Sequence, residues 1–268
     1  MKTQPFRFLD LPAELRMMVY ECLSISVHHH VLDDPTQLPG YFTRSTITLV
    51  TKSIETSIFS TCRKVNAEAV PSLAHHLDKL RSVPTHFVVD FASMDTFAGR
   101  GGILSLIKKK ARGHNSPTSA QSTAPIVFEG ALEVINDIHP TSADYIALTS
   151  FIARSTSCLS RALSATPVIT RAQSLLVTMN LTAENGRIPY SVDKIILKMY
   201  MLHELYPCIA PHLDTRITWK STKKTRAFLH KLHGTLQSFP RRHDFDCSRI
   251  DLVSEKMWEE EWAEREGS

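Results

Sequence analysis

Apolar side chains near the start of the chain recur at the spacing of an α-helix. They follow one another after four, three, one and three residues, so they line one side of the helix. Proline at position 12 suits the first turn, and the helix dipole favours the carboxylate of Glu14 there. The stripe consists of Leu11, Leu15, Met18, Val19 and Cys22. The pattern therefore predicts a helix from Pro12 to Leu23, with Glu14, Arg16 and Glu21 on the other side.

The next segment changes from helical to β-type patterning and back. His28–Leu32 and Thr46–Val50 are β-prone runs, and residues 33–40 between them are rich in turn formers. This arrangement predicts a hairpin. Helical spacing returns at Ile54 and extends to about Arg81, and Pro71 either kinks this helix or opens a second one.

Helices and strands alternate through the rest of the chain. The β-branched and aromatic run Thr85–Phe91 is the clearest strand. Glycines at 99, 101 and 102 indicate a loop, and residues 111–125, which lack large apolar side chains, are predicted to be a disordered surface loop. Further strands are predicted at 174–180 and 215–220. Further helices are predicted at 103–110, 143–163, 192–206, 222–238 and 249–266.

These elements predict an α+β fold in two units. A length of 268 residues suits one large domain or two small ones. Residues 1–82 would form a helical unit with a β-hairpin insertion. Residues 83–268 would form a mixed helix and strand domain that contains the loop at 111–125.

Composition narrows the class of protein without identifying it. With 43% hydrophobic and 22% charged residues, the chain is not collagen, a coiled-coil rod or a disordered polymer. The five cysteines are widely spaced with no Cys-x-x-Cys pair, which excludes a zinc ribbon and indicates reduced thiols. The sequence has neither a signal-peptide pattern nor a membrane-length apolar run. We therefore expect a cytoplasmic and/or nuclear protein without a membrane partner.

Charge is distributed unevenly near the C-terminus. Residues 216–249 contain nine basic and two acidic side chains, whereas residues 250–268 contain two basic and seven acidic ones. The two segments either neutralise each other or leave a basic face for an acidic client or nucleic acid. The candidate basic surface consists of Lys220, Lys223, Lys224, Arg226 and Lys231.

No catalytic or metal-binding constellation stands out. His28, His29 and His30 are consecutive, so on a strand they cannot all face one metal ion. His230 and His233 lie three residues apart, but no nearby carboxylate or cysteine completes a tetrahedral set. The sequence predicts no catalytic residues, no metal and no cofactor, and hence a protein that is not an enzyme.

Two N-terminal motifs resemble a known family. Residues 8–23 contain Leu-Pro-x-Glu-Leu followed by the apolar stripe, which resembles the start of an F-box. Residues 61–69 contain Cys-Arg-x-x-Asn-x-Glu-Ala, which is similar to the second signature of a fungal F-box-like family. The resemblance covers about residues 6–91. It departs from a compact F-box because roughly 30 residues with β character separate the two helices.

The resemblance implies a protein-interaction adaptor. The helix would dock on the Skp-type adaptor of a cullin-RING ubiquitin ligase, and the remainder of the chain would recruit an unknown client. The candidate partner-binding residues are Leu11, Pro12, Leu15, Met18 and Val19. Three alternatives stay open: the stripe packs inside the chain's own core, the protein is an interaction scaffold that does not engage the ligase, or segment 216–249 associates with nucleic acid.

Overall fold

A six-stranded mixed sheet organises the structure, which is a computed structural model. Its strands follow one another in chain order. The first three are antiparallel neighbours, and the last four are parallel neighbours. They are β1 (Ile25–Asp33), β2 (Thr46–Ile54), β3 (Thr85–Asp90), β4 (Leu175–Asn180), β5 (Leu213–Trp219) and β6 (Ile250–Ser254). The structure describes residues 7–23, 25–36, 45–54, 57, 62–81, 83–113, 128–165, 175–181, 191–205, 213–219, 228, 230–235, 250–254 and 256–257.

Six helices with defined bounds accompany the sheet in the described part of the chain. They are α1 (Ala13–Glu21), α2 (Arg63–Arg81), α3 (Met94–Ala98), α4 (Ile103–Gly113), α5 (Ala143–Ala165) and α6 (Val192–Leu205). Short 3-10 segments span Phe8–Asp10, Phe91–Ser93 and Gly130–Asp137. Parallel neighbours need a crossover connection, and α3 to α6 lie in the crossovers that lead from β3 to β4 and from β4 to β5. The predicted α+β class is confirmed.

Buried apolar residues form a main core, a smaller cluster between α1 and α2, and a third cluster on the opposite face of the sheet. In the main core, one face of the sheet, including Leu49, Phe87 and Val177, packs with residues of α3 to α6. A smaller cluster joins α1 to α2 through Tyr20, Val65, Ala69 and Leu73. The apolar stripe of α1 belongs to none of these clusters.

The N-terminal hairpin and β3 share one sheet. β2 pairs with β3 although the whole of α2 lies between them in sequence. The sheet therefore crosses the predicted division between residues 82 and 83. The assignment of a separate function to each side of that division stays a prediction.

Most predicted elements match, and two helix predictions are wrong in part. Helical spacing began at Ile54, but Ile54 is buried at the end of β2, paired with Ile25, and α2 begins at Arg63. Spacing by four residues also satisfies the two-residue period of a strand, so the pattern was ambiguous. Pro71 lies inside one continuous helix.

The predicted terminal helix at 249–266 is the second correction. Residues Ile250–Ser254 form β6, which adds to the parallel edge of the sheet beside β5. Sheet pairing overrides the helical preference there, because the apolar residues of this run complete the edge. Lys256 and Met257 are helical, and the remainder of the predicted helix lies outside the described residues.

Two further predictions fall on the edges of the described ranges. Residues 111–113 of the predicted loop instead finish α4, and residues 114–125 lie outside the described part of the chain. Of the helix predicted at 222–238, residues 228 and 230–235 are described and are helical. The short helix α3 and the 3-10 segment Gly130–Asp137 were not predicted.

Candidate functional site

A buried arginine ties α1 to α2. The guanidinium of Arg16 donates through Nε and Nη2 to the two carboxylate oxygens of Glu68, each at 2.8 Å. This bidentate geometry is the strongest that an arginine and a carboxylate form. The pairing lowers the pKa of the Glu68 carboxyl, chiefly through the hydrogen bond from Arg16. Arg16 belongs to the first sequence motif and Glu68 to the second, so the fold brings the two motifs into contact.

The same arginine fixes the segment that leads into α1. Its Nη1 donates to the carbonyl oxygen of Leu9 at 3.2 Å and to that of Leu11. These carbonyls precede the helix and therefore have no partner inside it. Arg16 consequently holds the 3-10 turn and Pro12 in a set position relative to the first turn of α1.

Tyr20 provides the apolar half of this contact. Its ring is fully buried against Val65, Ala69 and Leu73 of α2, and the Phe8 ring packs on it with 5.8 Å between the centroids. Burial raises the pKa of the Tyr20 phenol, and its hydroxyl has no hydrogen-bond partner in the described part of the chain. Tyr20 therefore acts as an apolar anchor.

Cys62 has a structural role at the start of α2. Its Sγ accepts a hydrogen bond from the backbone N–H of Val65 at 3.4 Å, which satisfies one of the free donors at this helix end. The side chain is half-buried beside the Tyr20 cluster. The second motif thus supplies a cap, an ion-pair partner and a core alanine, Ala69.

The anchored face of α1 decides where the apolar stripe points. Arg16 and Tyr20 are one helical turn apart, so together they turn one side of the helix towards α2. Leu15, Met18 and Val19 lie on a different side and are 45%, 59% and 39% exposed. Pro12 is exposed and Leu11 is half-buried. We call Leu11, Pro12, Leu15, Met18 and Val19 the docking stripe.

This orientation corrects the predicted position of Arg16 and decides whether the apolar stripe is buried. Arg16 was predicted to lie on the solvent side of α1, but it is 5% exposed, because Glu68 compensates its charge. The alternative in which the stripe fills the chain's own core is wrong for Leu15, Met18 and Val19. Sequence reasoning missed Arg16, Tyr20 and Glu68 as anchors, and also the exposed apolar side chains of Leu9 and Met17.

The candidate basic surface is only partly described. Lys231 is exposed on the helical segment 230–235. The other four members, Lys220, Lys223, Lys224 and Arg226, lie outside the described residues, as does most of the acidic segment after residue 257. Whether these charges neutralise each other or face a partner stays a prediction.

Polar side chains at the carboxyl ends of β3 and β4 form hydrogen bonds with other residues of the sheet. Ligands of open α/β sheets often bind at this edge. Here Asp90 accepts hydrogen bonds from the Thr46 backbone N–H at 2.7 Å, from the Thr46 hydroxyl at 3.0 Å and from Asn180 Nδ2 at 2.9 Å. These contacts connect β2, β3 and β4, and they account for both carboxylate oxygens.

The described residues contain neither a metal-binding cluster nor a helix that could span a membrane. His28 and His30 contact the hydroxyls of Ser53 and Thr51 on β2, each at 3.0 Å. Among the residues that the structure places, no group of three or more histidine, cysteine, aspartate or glutamate side chains could hold a metal ion. Within the same ranges, no helix combines the length and apolarity needed to cross a bilayer.

The docking stripe is therefore the surface feature that most clearly points to a ligand. Its members Leu15, Met18 and Val19 lie on α1 and are exposed, while Arg16 and Tyr20 hold another side of the helix by buried contacts. No protein-family model, curated protein or solved structure matches this chain.

Proposed function

We propose that this protein is an interaction adaptor that docks on another protein through the stripe of α1. One observation carries the proposal: Leu15, Met18 and Val19 face solvent while Arg16 and Tyr20 hold the opposite side of the helix. Apolar side chains at this spacing are the anchors by which a helix binds a groove. The helix is already folded and oriented, so binding does not pay for ordering it.

The resemblance to the F-box-like family suggests the identity of the partner. By that resemblance, the stripe binds the Skp-type adaptor of a cullin-RING ubiquitin ligase and residues 83–268 recruit a client for ubiquitin transfer. The contact between Arg16 and Glu68 supports this proposal, because it joins the two motifs on which the resemblance rests. The alternative is a scaffold of the same family that binds a different groove.

A binding measurement with a purified Skp-type adaptor tests the proposal. The variant Leu15→Asp/Met18→Asp places two carboxylates in the stripe and should weaken binding by at least about a hundredfold, the typical effect of losing hot-spot residues. Leu197→Asp on α6 is the matched control, because Leu197 is 56% exposed and lies on another helix. It should bind like the wild type, and circular dichroism should show that all variants are folded.

Two results would argue against the proposal in different ways. If folded wild-type protein does not bind the Skp-type adaptor, the ligase assignment is wrong and the scaffold alternative replaces it. If the stripe variant and the Leu197→Asp control bind equally well, the stripe is not the docking surface.

A further inference from the structure

The exposed side of α1 carries a charge that the sequence does not reveal. The charged residues of α1 are Glu14, Arg16 and Glu21. Since Arg16 is buried and paired with Glu68, the charges that α1 presents to solvent are those of the two glutamates. Neither glutamate has an ion-pair partner within the described ranges.

These two carboxylates border the docking stripe. Met18, which is 59% exposed, follows Glu14 by four positions and precedes Glu21 by three. Side chains at these separations are neighbours on a helix surface. A partner that covers Met18 must therefore meet both carboxylates along one side of its contact.

The charge pattern disfavours a second copy of this chain as the partner. In an antiparallel pair of α1 helices, Glu14 of one copy would face Glu21 of the other, and in a parallel pair each glutamate would face its own counterpart. Like charges at such contacts oppose association. In addition, α1 has nine residues and is about 14 Å long, so another short helix could not supply the roughly 800 Å² per partner of a standard interface. A concave groove can do so, because it contacts several sides of the helix.

We propose that Glu14 and Glu21 select the partner of the docking stripe, which is a protein whose apolar groove carries lysine or arginine along the rim that meets them. This inference rests on the proposed function, because it concerns the same helix. It goes further by naming the chemistry of the partner and the residues that discriminate between grooves. Complementary charge raises association rates and excludes wrong partners more than it adds to affinity.

The first test needs no partner and uses sedimentation of the full chain at low ionic strength. Wild-type protein should be monomeric. Because a pair of α1 helices is too small for a stable dimer, Glu14→Lys should self-associate only weakly and at the highest concentrations, but roughly tenfold more tightly than the wild type, since the new lysine would face Glu21 of an antiparallel second copy. Glu14→Lys/Glu21→Lys should be monomeric again, since like charges return. If the wild type self-associates and Leu15→Asp abolishes that association, the inference is wrong. It is also wrong if the two lysine variants self-associate to the same extent.

The second test measures association with the Skp-type adaptor as the probe. Glu14→Gln/Glu21→Gln should lower the association rate about tenfold at low salt, and the difference should vanish at high salt. The control Glu133→Gln/Asp137→Asn removes two exposed carboxylates from the 3-10 segment Gly130–Asp137 and should leave the rate unchanged.

The outcomes separate this inference from the proposed function. If the stripe is needed for binding but the glutamine variant binds at the wild-type rate, the inference is wrong and the proposed function stands. If the glutamine variant binds faster, the groove has an acidic rim and the inference is also wrong. If wild-type protein does not bind the probe, the ligase assignment fails and the sedimentation test alone decides the inference.

Discussion

At the scale of single residues, His86 gives the fold a specific dependence on pH. The side chain is completely buried on β3, and its Nε2 lies 2.8 Å from the hydroxyl of Thr178 on β4. Burial, followed by repulsion from Arg216, Lys52 and His29, lowers the pKa of His86 to about 3. The imidazole is therefore neutral in the folded protein at pH values where it is protonated in the unfolded chain.

We expect acid to destabilise the fold through this residue. Between pH 6.5 and about 3 the unfolded state binds one more proton than the folded state at position 86, so the free energy of unfolding falls as pH falls. The slope from one such group is about 1.4 kcal/mol per pH unit, and it disappears above pH 6.5. Urea unfolding of the wild type and of His86→Gln across this range measures it, since glutamine does not titrate.

A surface histidine provides the control for that measurement. His139 is exposed and its Nδ1 lies 2.7 Å from the hydroxyl of Thr141, so His139→Gln should keep the wild-type slope. Equal slopes in the wild type and in His86→Gln would show that another group causes the acid sensitivity.

At the residue level, the spacing of the apolar side chains of α1 is readable from the sequence, but the side of the helix that turns inward is not. The stripe from Leu11 to Val19 follows from spacing within one helix, which the sequence displays directly. The burial of Arg16 depends on Glu68, 52 positions later. No local pattern predicts that a charged residue will turn inward, because its cost of burial is offset by a partner from another element.

At the scale of elements, two glycines join the loop after α3 to the 3-10 segment before α5. Gly101 and Gly130 have positive φ angles of 72° and 64°. A Cβ atom at Gly130 would lie 2.1 Å from the carbonyl oxygen of Arg100, and one at Gly101 would lie 2.2 Å from that of Glu129. The two backbones therefore approach each other closely only because both positions lack a side chain.

We expect Gly130→Ala to destabilise the fold by more than the 1–2 kcal/mol that a left-handed backbone costs other residues, since the clash with Arg100 adds to it. Gly234→Ala is the matched control. It lies in a helical segment, no atom would lie within 4 Å of the new Cβ, and alanine should stabilise the helix by about 0.5–1 kcal/mol. Denaturant unfolding of both variants compares the signs, and a stable Gly130→Ala protein would contradict the tight approach.

Helices and strands were predicted correctly where the hydrophobic pattern has a single clear period. The prediction failed where pairing with another element determines the secondary structure. The run Thr85–Asp90 and the long helix Ala143–Ala165 have patterns that only one structure fits. Ile250–Ser254 becomes a strand because β5 offers a free parallel edge, which residues 250–254 do not encode by themselves. The short α3 has only five residues, too few for a helical period to emerge.

At the scale of the whole molecule, α1 is stabilised mainly by contacts that lie outside the main core. α1 is fixed by Arg16, by Glu68 and by the Tyr20 cluster, whereas the sheet is fixed by the large cluster that it shares with α3 to α6. The sequence could not predict this division. The hairpin between α1 and α2 pairs with the sheet, whereas the two helices on either side of it pack against each other. We therefore expect α1 and α2 to loosen without unfolding of the sheet.

Hydrogen exchange can measure this independence. Leu73 is 2% exposed within the Tyr20 cluster, so Leu73→Ala should remove about 2–5 kcal/mol of packing free energy. We expect the amides of α1 and α2 to exchange much faster in this variant, while those of β3 and β4 stay protected. Leu104→Ala removes a fully buried leucine from the main core and should have the opposite distribution. If Leu73→Ala exposes β4 as much as α1, the two clusters unfold together and the docking helix is part of one cooperative unit.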